Sequence, residues 1–151
     1  MTDVELARAL ERGEIANENF YHTSHLHVAW VYLTESSSVE EAAAKMRDTL
    51  RRFASSEGQS EKYHETITLF WVQLLASAHV ANSDKSFEEI VDANPCLLEK
   101  NLPVAYYSEE RLFSNRARTS WMQPDLKPLS FDATSFCSSS SPCDTPDRAL
   151  S

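Results

Sequence analysis

The sequence predicts an all-α fold: a single-domain bundle of about six helices around one buried central helix, followed by a disordered, serine-rich tail. Three observations predict it. The stretch that opens Lys62-Tyr63-His64-Glu65-Thr66-Ile67-Thr68-Leu69-Phe70-Trp71 and runs on to Val80 is apolar on more than one helical face, as a helix buried on several sides must be. Three Ser/Thr-x-x-Glu capping boxes (Thr2/Glu5, Ser38/Glu41, Ser86/Glu89) each stand just before residues with helical apolar spacing. No segment alternates apolar and polar residues over five or more positions, so no strand is expected.

In chain order, Thr2 caps a first helix with Val4, Leu6, Ala7 and Leu10 on its apolar side, and Gly13 ends it. Residues 14–21 form a polar linker. A second helix starts near Thr23 or Ser24 and carries Ala29, Trp30, Val31, Tyr32 and Leu33. A third, over 38–57, has an amphipathic face of Ala42, Ala43, Met46, Leu50 and Phe53, and Gly58 stops it. The central helix runs from near Ser60 to Ala81 and ends at Asn82-Ser83-Asp84. Ser86 starts a short helix with Phe87, Ile90 and Val91. Asn94-Pro95 starts another, with proline at its first position, and Pro103 ends it. Ser108 caps a last helix at 109–114 that continues irregularly to Trp121. The folded domain is therefore 1–128. The tail, 129–151, has too little apolar content to fold alone.

Bulk composition narrows the function. The chain has 151 residues, enough for one real core, and carries a net charge of −9. That charge argues against binding nucleic acid or an anionic membrane surface. No apolar run reaches the ~18 residues of a membrane span. Only two glycines are present, so Gly-rich phosphate loops and dinucleotide fingerprints are absent. Three cysteines, Cys96, Cys137 and Cys143, do not make a disulfide framework. With an acidic, signal-free start, this predicts a cytoplasmic protein.

The chemistry-bearing residues fall in two groups. His22 and His25 share one helix face, within reach of one metal ion. His27 lies about 200° around from His25 and points elsewhere. His64 opens the central helix beside Glu65. With the third helix between them, up-down-up order makes helices two and four parallel, which brings His22, His25 and His64 to the same end. Neutral imidazoles at helix N-termini suit a divalent metal, zinc, iron or copper, with Glu65 as general base or as a partner that orients an imidazole. Thr66 and Thr68 each need a hydrogen bond in so apolar a helix. Tyr106, Tyr107, Arg116 and Arg118 form a second polar group. Trp30, Trp71 and Tyr107 are expected to line an apolar pocket, with Arg118 anchoring an anion. No nucleophile arrangement is found: Cys96 has no adjacent histidine, and no serine sits in a Gly-x-Ser-x-Gly turn.

Phe20-x-His22-x-x-His25-Leu26-x-x-Ala29-Trp30 and Lys62-Tyr63-His64-Glu65-Thr66-Ile67-Thr68 together resemble the motifs of an uncharacterised family of small all-helical bacterial and fungal proteins. The similarity continues through Tyr106-Tyr107-Ser108, Leu112, Ala117-Arg118 and Pro124-Asp125-Leu126, covering 15–128. It implies a shared fold and carries no activity with it. His27 stands where the family pattern often has another residue. The functional expectation is a small metal-dependent enzyme acting on a small organic molecule. His22, His25 and His64 bind the metal, and Glu65, Tyr107 and Arg118 are catalytic. The alternatives are a metal-free acid–base enzyme using the same residues and a non-catalytic helical interaction module.

Overall fold

A computed structural model describes residues 2–15, 22–56, 58, 63–81 and 84–127. Linker residues 16–21, the expected helix start at Ser60, the stop at Asn82-Ser83, Cys137, Cys143 and the tail at 129–151 lie outside the described residues. The described chain is all-helical, with no strand among the described residues. The α-helices are α1 (Asp3–Glu11), α2 (His22–Glu35), α3 (Val39–Ser56), α4 (Glu65–Ala81), α5 (Phe87–Ala93), α6 (Glu109–Leu112) and α7 (Asn115–Thr119). Two 3₁₀ turns, Pro95–Leu98 and Leu102–Ala105, lie between α5 and α6.

Helix ends follow local chemistry. The capping boxes of α1 and α5 are both complete. At α3, Ser38 accepts the Glu41 N–H, but the Glu41 carboxylate turns to the Ser37 N–H and hydroxyl instead of closing the box. Gly13 takes φ +73°, and the Gly13 and Glu14 N–H groups bond back to Leu10 and Ala9 carbonyls. This double closure is a Schellman ending that needs a left-handed residue, which glycine adopts without strain.

Four boundaries differ from expectation. Helix α2 already includes His22. Helix α4 begins at Glu65, because His64 caps it: the Ile67 N–H donates to His64 Nδ1 at 3.1 Å. The Asn94-Pro95 segment is a 3₁₀ turn, with the Asn94 amide bonded back to the Ile90 carbonyl. The last helix splits in two, since the Ser114 hydroxyl accepts the Ala117 N–H and starts a fresh turn.

Helices α2 and α4 form the centre. Leu26 and Val28 through Tyr32 are all buried, as are Phe70, Trp71, Val72, Leu74, Leu75 and Ala78. The ring pairs His22–Trp71 and Trp30–His79, at 4.7 and 4.9 Å, share one sequence offset, so the two helices run parallel. Helix α3 returns antiparallel beside them. Its Arg47 meets Glu65 at one end, and Val39 faces Val80 along a groove of about 980 Å³ at the other. Helix α1 is pinned by a buried tyrosine: the Tyr32 hydroxyl donates to Glu11 at 2.6 Å and meets Thr49 at 2.9 Å.

Trp30, Trp71 and Tyr107, expected to line an apolar pocket, are themselves buried. All three are core residues. Trp30 packs on Phe87 and His79, Trp71 on Phe70 and His22, and Tyr107 is wholly buried. Among the described residues, no helix is long and apolar enough to cross a membrane.

Candidate functional site

Residues 63–66, at the entry to α4, each do a different job. Tyr63 donates its hydroxyl to Glu65 at 2.7 Å. Burial and this bond to a carboxylate both push the phenol pKa upward. His64 caps the helix through Nδ1, and its Nε2 lies 2.8 Å from the Leu112 carbonyl. One nitrogen accepts an N–H and the other donates to a carbonyl, so the ring is a neutral tautomer. Burial lowers its pKa, and nearby Arg118 adds to the effect. Glu65 is buried against Arg47, with Nε at 2.9 and 3.2 Å from its two oxygens, and Arg51 stands 3.9 Å away. Thr66, fully buried, donates to the Ser120 carbonyl at 2.8 Å and accepts the Met122 N–H at 3.2 Å. Its hydroxyl therefore fastens the segment after α7 to α4.

The three-histidine metal set is not assembled. His22 Nε2 meets the Leu97 carbonyl at 3.1 Å while its ring packs on Trp71. Burial lowers its pKa, a direction the carbonyl bond opposes. His25 sits half-buried on the same helix with interactions of its own. The parallel order of α2 and α4 holds, but their register is staggered. His22 lies beside Trp71, two turns beyond His64, or about 10 Å along the axis at 1.5 Å per residue. His22 and His64 instead turn Nε2 to two different backbone carbonyls, Leu97 and Leu112. Among the described residues, the three metal-ligating side chains that do converge are others: Asp3, His27 and Glu88.

The catalytic expectations also sort differently. Tyr107 lies in the core, where its hydroxyl donates to the Met122 carbonyl at 2.7 Å. Glu65 is an ion-pair partner joining α3 to α4. Arg118 does face a pocket. With Arg51, Tyr63 and Thr119 it lines a cavity of about 340 Å³ where α3 ends, α4 begins and α7 crosses. The Arg51 guanidinium lies over the Tyr63 ring at 5.2 Å, which holds it at the pocket edge. Arg118 also reaches Asn115 Oδ1 at 3.4 Å.

Sequence reasoning missed Arg47 and Arg51. The available signal was their i, i+4 spacing on α3, which sets two guanidiniums on one face next to the helix that carries Glu65. Two guanidiniums, Arg47 and Arg51, thus flank the Glu65 carboxylate at this end of the bundle, and a third, Arg118, shares the pocket with Arg51. The chain as a whole carries −9, so this end is a local reversal of sign. No protein-family model, curated protein or solved structure matches the chain.

Proposed function

We propose that this protein is a helical domain that binds a small organic anion, a carboxylate or phosphate ester, in the pocket between α3, the entry to α4 and α7. The observation that carries the reading is that Arg51 and Arg118, from two separate helices, line one cavity beside Tyr63. Guanidinium groups recognise carboxylate and phosphate oxygens through paired, charge-assisted hydrogen bonds. The pocket's volume suits a metabolite-sized ligand.

The arrangement favours binding over turnover. Both ring nitrogens of His64 are engaged with backbone groups, and Glu65 is engaged with Arg47 and Tyr63. A metal-dependent enzyme and a metal-free acid–base enzyme of the expected kind both require His22, His25 and His64 to meet. A non-catalytic helical module does not. The groove between α3 and α4 is larger and mostly apolar, but an apolar groove names no ligand chemistry, whereas two guanidiniums do.

Titration calorimetry with inorganic phosphate and with a small dicarboxylate tests the proposal. The expected result is saturable binding at one site. Arg118→Gln and Arg51→Gln should each weaken it about tenfold, the cost of roughly one charged hydrogen bond. No binding of either anion, or equal binding in both variants, would refute it.

A further inference from the structure

We propose that Asp3, His27 and Glu88 form a binding site for one divalent transition-metal ion, with zinc as the reference ion. The site is independent of the anion pocket. Its ligands come from three helices, α1, α2 and α5, and their ligand atoms lie mutually within 4.8 Å. Sequence separation of this kind is not the accident of one helical turn. Each carboxylate has a local reason to be where it is, since both stand in the first turn of a helix. That explains the acids but not their convergence on the same histidine.

The second observation is the state of His27 Nδ1. This atom is buried and makes no hydrogen bond of good angle, although Asp3 Oδ1 lies only 2.9 Å away. The carboxylate oxygen is therefore close but off the line along which a ring N–H donates. An imidazole–carboxylate ion pair with nothing between would align the two. Two ligands of a common ion need not: with bonds of about 2.1 Å they sit about 3.0 Å apart at the right angle of an octahedral site and about 3.4 Å apart at a tetrahedral one. Phe87 packs on the His27 ring at 4.6 Å, so the ring is held in this orientation by the core rather than by the ion pair.

The donor set defines the ion. One neutral imidazole and two carboxylates balance a double positive charge. A nitrogen and two oxygens suit zinc or manganese better than a soft copper(I) site, which would draw on sulfur. Asp3 and His27 are half-buried and Glu88 is exposed, so the remaining coordination positions open to water. The ion would tie α1 and α5 to α2. A ligand that binds only the folded state raises its stability in proportion to the logarithm of its free concentration.

The test uses the full chain without an affinity tag and Zn²⁺ alone. Titration calorimetry and thermal unfolding are run on wild type, His27→Gln, Glu88→Gln and His22→Gln. The proposal expects one zinc per chain in wild type and in His22→Gln, with a rise in melting temperature. It expects affinity at least tenfold weaker in His27→Gln and Glu88→Gln, without that rise. Glu88 is exposed, so its variant decides the matter even if His27→Gln misfolds. Absence of zinc binding in wild type would overturn the proposal. So would affinity unchanged in Glu88→Gln, or affinity lost in His22→Gln, which would place the ion at the other histidines.

Discussion

His64 accepts a backbone N–H through Nδ1 and meets a backbone carbonyl through Nε2, so its neutral form is part of the fold. Adding a proton at Nδ1 removes the cap of α4. This fixes the direction of a pH effect. Burial holds the folded-state pKa of His64 below its ordinary value of 6.5, and that of His22 likewise. Between the folded and unfolded values the unfolded chain takes up more protons, so stability is complete above the unfolded pKa and falls as pH drops through it. Melting temperature should therefore decline from about pH 7 to about pH 5, and the decline should be shallower in His64→Gln. An equally steep profile in that variant would show that the ring is not protonation-sensitive in place. Neither nitrogen's partner is visible in the sequence. The motif marks His64 as special, but a ligand and a helix cap look alike until residues 112 and 67 are in position.

At the scale of elements, apolar periodicity marks the helices and up-down-up connectivity makes α2 and α4 parallel, but neither sets their stagger. Stagger is set by how large side chains interlock, here Trp30 against His79 and Trp71 against His22. The stagger of two turns sets His22 beside Trp71 rather than beside His64. The same limit applies to Tyr107. Its place near Arg118 in the sequence suggested a site, yet a connection through two short helices turns it into the core. Thr66 does meet its expectation, since a threonine in so apolar a helix needs a partner. It finds two, on the segment that closes over α4. Thr66→Val keeps the shape and deletes both bonds, leaving the Ser120 carbonyl and the Met122 N–H without it. The expected loss is roughly 2–4 kcal/mol in a denaturant titration. A loss under about 0.5 kcal/mol would mean that this segment is not fastened there.

Over the whole molecule, charge is the feature that composition hides. A net −9 argues against polyanionic partners and says nothing of a pocket lined by two guanidiniums, Arg51 and Arg118. Arg118 is expected from the sequence as an anion anchor, and it lines the pocket. Arg51 is not, because its partner surface comes from residues 63, 118 and 119, brought in by α4 and α7. The Asp3, His27 and Glu88 group was illegible for the same reason: its members lie in three helices far apart in the chain. Sequence motifs show chemistry that is local, and both candidate sites here depend on tertiary closure.

The anion pocket is the central claim, and chemical-shift mapping tests it most directly. Isotope-labelled protein is titrated with inorganic phosphate, following the arginine side-chain and backbone signals. Saturable shifts at Arg51, Tyr63, Arg118 and Thr119, with His22 and His25 unmoved, are the predicted result. No saturable shift, or shifts centred on His22 and His25 instead, would contradict it.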